Sequence, residues 1–141
     1  MFRMLPLLLL VIIVYNILAF GHGLASHASM EAFLAQSFSV KMFSGETWNI
    51  SIGDFFILIS LILLFVEVVK ATRTTANEII NHGLSLLTFV IALIEFITLK
   101  GFSTSTFFFV MAMTLFDVIA GYTISIVAAE HDLGLGRAGT D

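Results

Sequence analysis

The chain has 141 residues, of which 59% are hydrophobic and only 11% are charged. Soluble domains carry about 25% charged residues, so the composition argues against a soluble globule, a disordered chain and a coiled coil. The six Lys and Arg residues are outnumbered by ten Asp and Glu residues, which leaves no basic surface for nucleic acid. The absence of cysteine excludes disulfides and thiolate metal sites.

Four apolar stretches qualify as membrane spans, at about residues 5–20, 52–69, 79–99 and 102–129. A spanning helix needs about 20 mostly apolar residues, and spans are helical because lipid offers no partners for backbone polar groups. We therefore predict an all-α membrane protein, a bundle of four transmembrane helices that forms a single domain over residues 1–141. The first span follows Arg3 and resembles a signal peptide, and we interpret it as an uncleaved anchor helix.

The positions of Lys and Arg predict the orientation, because cytoplasmic loops carry more of these residues than outer loops. With the N-terminus inside, the cytoplasmic side has Arg3, Lys70, Arg73 and Arg137, and the outer side has Lys41 and Lys100. We therefore predict that both termini are cytoplasmic. The tail at 130–141 is Gly-rich and polar, and we expect it to be loose.

The outer loop between the first two spans, residues 21–51, has a pattern of its own. Between Ser29 and Gln36, the side chains of Met30, Phe33 and Leu34 have the spacing of one apolar helix face. The loop is therefore predicted to begin with a short helix.

Two alternating segments on either side of Ser44-Gly45 predict a small β-hairpin in the same loop. Its apolar face would consist of Phe38, Val40, Met42, Trp48 and Ile50. We interpret this extracytoplasmic structure as a lid packed over the helix ends, or else as a docking surface for a partner. Trp48 also suits a membrane–water interface.

Ionisable side chains inside membrane spans are costly, and they are functional candidates for that reason. Glu67, His82 and Asp117 lie on different spans, each roughly 21–24 Å below the outer boundary by the helical rise, so we expect them to meet. Each belongs to a stripe of small or polar residues, which marks a contact face between helices. The stripes are Gly53, Ser60 and Glu67 on the second span, His82, Ser85, Thr88, Ala92 and Glu95 on the third, and Asp117, Gly121, Ser125 and Ala128 or Ala129 on the fourth.

The cluster of Glu67, His82 and Asp117 has two interpretations. As a functional site, two carboxylates and an imidazole can share a proton or hold a cation, and the same groups can ligate a divalent metal. As a structural feature, Glu67 would pair with Lys70 on its own helix, and His82 would hydrogen-bond Asp117. We predict no dedicated metal centre and no cofactor.

Glu95 and Asn16 are secondary polar candidates. Glu95 lies near the outer end of the third span, where Lys100 is close enough in sequence to pair with it. The first span has no stripe of small residues, and only Tyr15 and Asn16 interrupt its apolar run. We therefore expect this span at the periphery of the bundle, against lipid or another chain.

Two stretches carry a resemblance to a known group of proteins. One runs from Gly53-Asp54-Phe55-Phe56 to Glu67-Val68-Val69-Lys70-Ala71-Thr72-Arg73, and the other joins Ser105-Thr106-Phe107-Phe108 to Asp117-Val118-Ile119-Ala120-Gly121-Tyr122. They resemble a family of short, uncharacterised four-span membrane proteins of proteobacteria. The resemblance covers spans two to four, implies a location in the bacterial inner membrane, and implies no activity.

The sequence contains no nucleophile elbow, phosphate-binding loop, HExxH motif or dinucleotide fingerprint. We therefore expect a non-enzymatic role, as an accessory subunit of a larger membrane complex or as a homo-oligomer. The alternative is a subunit of a proton or cation channel or transporter that uses Glu67, His82 and Asp117. The expected partners are the lipid bilayer and other membrane subunits or copies of the chain.

Overall fold

The computed structural model describes residues 5–21, 27–72 and 78–137. Within these ranges the chain forms α1 (Leu7–Gly21), α2 (His27–Leu34), β1 (Ser37–Lys41), β2 (Thr47–Ser51), α3 (Ile52–Ala71), α4 (Glu78–Thr98) and α5 (Ser105–Arg137). The two strands pair as one antiparallel sheet. The protein is thus mostly helical, and the short helix and the hairpin predicted between the first two spans are confirmed.

Three helices in the described part of the chain are long and apolar enough to cross a membrane, namely Ile52–Ala71, Ile80–Thr98 and Ser105–His131. They coincide with the second, third and fourth predicted spans, so the chain is a membrane protein by length and composition. The helix α1 is also apolar but has only 15 residues. At the helical rise it is about 22 Å long, shorter than a hydrocarbon core of about 30 Å.

The start of α3 is determined by local chemistry. Ser51 ends β2 and caps α3, because its hydroxyl accepts a hydrogen bond from the Asp54 amide at 3.0 Å. The Asp54 carboxylate in turn accepts from the Ser51 amide at 2.8 Å, which completes a capping box. The hairpin therefore joins α3 without a linker.

The centre of the bundle is α5, which packs against both α3 and α4, and α1 contacts all three of these helices. The predicted contact stripes are confirmed for most of their residues, whereas Glu95 and Ser125 are half-buried. Gly53, Ser60 and Glu67 are the buried residues of α3. His82, Ser85, Thr88 and Ala92 are buried on α4, and Asp117 and Gly121 on α5.

Close approach of α3 and α5 requires a glycine at one point of this contact. A Cβ atom on Gly53 would lie 2.6 Å from the hydroxyl oxygen of Thr106 and 3.5 Å from the backbone oxygen of Leu34. Small residues at helix contacts allow this kind of approach in membranes.

The prediction that the first span lies at the periphery is wrong for one of its faces. The helix α1 buries Leu8, Val11, Ile12, Tyr15 and Ala19 in the bundle. The physical reason is that large apolar side chains also pack helices together, and a run that is apolar on every side gives no periodicity to read.

The expectation of a loose tail from residue 130 is wrong as far as residue 137. The helix α5 continues through the polar residues Glu130 and His131 to Arg137. No proline interrupts this part of the chain, and a helix that is already formed adds residues at little cost. Residues 138–141 lie outside the described part of the chain.

Candidate functional site

The three ionisable residues singled out from the sequence lie in one region of the bundle. Glu67 is near the C-terminal end of α3, His82 is near the N-terminal end of α4, and Asp117 is in the middle of α5. Their exposed fractions are 1%, 6% and 5%. Glu67 and His82 both lie near the carboxyl group of Asp117.

Glu67 joins α3 to the start of α1. Its Oε2 atom accepts a hydrogen bond from the Leu7 amide at 3.2 Å. Leu7 is the first residue of α1, and the amides of a first helical turn have no partner inside their own helix. The carboxylate therefore caps α1 and lies at the positive end of its dipole.

Lys70 completes this connection. Its Nζ atom lies 2.6 Å from Oε1 of Glu67 and donates to the Leu5 carbonyl oxygen at 3.4 Å. The pairing of Glu67 with Lys70, one of the sequence-based interpretations, is thus present. The cap on α1 was not predicted, because Leu7 and Glu67 are 60 residues apart and nothing local links them.

His82 packs against α5. Its Nε2 atom is 2.8 Å from the Ser125 hydroxyl oxygen, and its ring is 5.4 Å from that of Tyr122. A Cβ atom on Gly121 would lie only 2.5 Å from Nδ1 of His82. The imidazole therefore fills the space that the missing side chain of Gly121 leaves.

The Ser85 hydroxyl group on α4 lies near the Asp117 carboxyl group, as do Glu67 and Lys70. His82 bonds Ser125, and the predicted direct bond between His82 and Asp117 is not formed. Chemically, the arrangement can hold a proton on a buried carboxyl or imidazole, and it can also serve as a set of polar links between helices.

No three His, Asp or Glu side chains in the described residues lie close enough together to hold a metal ion. This finding gives no support to the two-carboxylate, one-imidazole metal site considered from the sequence.

A second polar connection joins α1 to α4. The Asn16 side-chain amide donates to Oε1 of Glu95 at 2.9 Å and to the Ile12 carbonyl oxygen at 3.0 Å. Glu95 therefore pairs with Asn16, where the sequence had suggested Lys100. Its Oε2 atom is buried without a hydrogen bond.

Tyr15 is a structural residue whose role the sequence did not reveal. It is fully buried, and its hydroxyl donates to the Gly101 carbonyl oxygen at 3.0 Å and lies 2.8 Å from the Thr104 hydroxyl oxygen. Gly101 has φ +88° in the turn between α4 and α5. The only signal in the sequence was a polar group inside an apolar run, which implies a buried partner.

The hairpin carries the five apolar residues that were predicted to share one face. Phe38 pairs with Ile50 and Val40 with Trp48 in the antiparallel register, so these side chains lie on the same side of the sheet. Phe38 and Trp48 are 50% and 55% exposed. A lid packed over the helix ends would bury this face, so the lid prediction is wrong for the hairpin. It holds for the short helix α2, whose Met30 and Leu34 are buried in the core. The docking role stays a prediction.

No protein-family model, curated protein or solved structure gave a significant match to the chain.

Proposed function

We propose that this protein is an accessory subunit of the bacterial inner membrane, which packs against other membrane subunits or copies of itself. The observation that carries the proposal is the use made of its buried polar groups. Glu67 caps α1, Asn16 binds Glu95, and His82 binds α5. These contacts hold helices of one chain together, which is a structural use of polar residues in a membrane.

A second observation supports the same proposal. The only buried residues of α3 are Gly53, Ser60 and Glu67. Large apolar residues at helical spacing cover the opposite face, and the most exposed are Leu61, Ile62 and Phe65. Nothing in the described part of the chain buries this face, so it can contact lipid or a neighbouring helix.

We also propose that α1 is the fourth span and that both termini are cytoplasmic. The helix begins beside Glu67, near one end of α3, and its Tyr15 reaches the turn between α4 and α5. It therefore runs beside the other helices over most of their length. The distribution of Lys and Arg supports this orientation.

The test is extraction of the protein from its native membrane in a mild detergent, with mass measurement of the intact particle and identification of its components. We expect a particle larger than one chain. A particle that contains only the monomer, recovered in two detergents of different chain length, would contradict the accessory role. A homo-oligomer would retain the self-association part of the proposal.

The second candidate function is conduction of protons or cations by an oligomer. It is favoured by one observation, the burial of Asp117 near Glu67, Lys70 and His82. Buried ionisable groups mark proton and ion pathways in many membrane proteins. We would reconstitute the chain in vesicles and compare proton flux for the wild type, Asp117→Asn and a matched control, Glu46→Gln, which changes an exposed acid in the hairpin turn. Flux that is absent in the wild type or unchanged in Asp117→Asn would rule out this role for Asp117.

A further inference from the structure

The exposed side of the hairpin has no partner within the described part of the chain that would bury it. We call this side the hairpin face and define it by Phe38, Val40, Met42, Trp48 and Ile50. All but Ile50 are exposed, and Phe43 at the turn is fully exposed. A two-stranded hairpin is at best marginally stable in water and needs an apolar surface to pack on.

The sheet separates apolar from polar side chains cleanly. The positions that alternate with the hairpin face are Ser37, Ser39, Lys41, Thr47, Asn49 and Ser51. The Ser39 hydroxyl donates to the Asn49 side-chain oxygen at 2.6 Å on this polar side. The hairpin face has no charged residue, whereas Lys41 lies on the polar side. This division is that of a structure that lies in a membrane interface, with one side in lipid and the other in water.

The hairpin face is continuous with the exposed surface of a spanning helix. The Phe38 ring lies 5.5 Å from the ring of Phe55, which is itself exposed in the first turn of α3. Because β2 runs into α3 at Ser51 without a linker, the hairpin stays next to the end of this helix. Its apolar side chains therefore start at the level where a spanning helix enters the membrane.

We propose that the occupant of the hairpin face is the phospholipid bilayer, into which the hairpin inserts its apolar side chains beside the end of α3. The bilayer is favoured over a protein partner for two reasons. Phe55 lies on the spanning helix α3 and is therefore already next to the bilayer. Trp and other aromatic residues are also enriched at membrane interfaces. The inference requires that α3 spans the membrane, and it is independent of the proposed accessory role.

The chain provides its own probe for this proposal, since Trp48 is its only tryptophan and belongs to the hairpin face. We would reconstitute the full-length protein in phosphatidylcholine vesicles, with and without bromine atoms on the acyl chains, and record tryptophan fluorescence. We expect blue-shifted emission, loss of most of the intensity in brominated vesicles, and little quenching by iodide in the water. Interfacial structures insert about 5–10 Å, so bromines near the headgroup end should quench more than bromines near the chain terminus.

Two variants identify the residues that insert. Replacing Met42 and Phe43 together by serine should shift the Trp48 emission to the red, weaken quenching by brominated lipid and increase quenching by iodide. Lys41→Gln, on the polar side, is the matched control and should leave all three quantities unchanged. Neither variant changes a helix residue, so the helical circular dichroism signal reports whether the bundle is intact.

Two results would overturn the proposal. Red emission with strong quenching by iodide in the wild type would place the hairpin face in water. Blue-shifted emission that neither brominated lipid nor iodide quenches would show that a second copy of the chain covers it.

Discussion

The substitution Gly121→Ala tests the contact on which the position of His82 depends. The added Cβ atom would lie 2.5 Å from Nδ1 and 2.7 Å from Cε1 of His82, so the ring has to move. Overpacking of this kind costs about 1–3 kcal/mol. Displacement of the ring also breaks the bond to Ser125, and such bonds in membrane proteins contribute about 0.6 and at most about 1.7 kcal/mol.

Gly83→Ala is the matched control, because a Cβ built at Gly83 meets no described atom within 4 Å outside its own stretch of helix. Both substitutions replace a helical glycine by alanine and share the same gain in helix propensity, up to about 1 kcal/mol. We therefore expect the free energy of unfolding to be lower in Gly121→Ala than in Gly83→Ala by roughly 2–5 kcal/mol.

The assay is unfolding of the purified protein in mixed detergent micelles, followed by the helical circular dichroism signal. A double-mutant cycle with His82→Ala assigns the loss to the contact, because removal of the imidazole leaves space for the new methyl group. The reasoning would be refuted if Gly121→Ala were as stable as Gly83→Ala. It would also be refuted if the loss were equally large with His82 already replaced.

Three further predictions concern the other contacts between helices. Gly53→Ala should lower the free energy of unfolding by about 1–3 kcal/mol, and Thr106→Ala in the same chain should restore most of it, since the hydroxyl oxygen of Thr106 is the nearest obstacle. Asn16→Ala should cost about 0.6–1.7 kcal/mol in the same assay, and a cost that is unchanged when Glu95 is also replaced by alanine would contradict the proposed pair. Tyr15→Phe keeps the buried ring and removes only its hydroxyl, so it should cost about 1 kcal/mol, and an unchanged unfolding midpoint would show that this hydroxyl bond has no net effect.

In the candidate site, the residue pattern predicted which side chains face inward but did not predict their partners. The stripes identified Glu67, His82 and Asp117 as inward-facing, because small and polar residues recur there at helical spacing. The partners of these groups could not be read in this way. His82 is bonded to Ser125 on α5, whereas the sequence favoured Asp117, and nothing in residue type distinguishes two polar groups that lie two helical turns apart on the same stripe.

The sequence by itself determined the properties that depend on local composition and periodicity. These are the membrane setting, the positions of α3, α4 and α5, the buried stripes, and a hairpin with one apolar face. Tertiary structure decided how α1 docks, because its contacts link residues that are 60, 79 and 86 positions apart. An evenly apolar helix carries no sign of which side is buried, so only packing against the other helices selects that side and brings Tyr15, Asn16 and the amide of Leu7 to their partners.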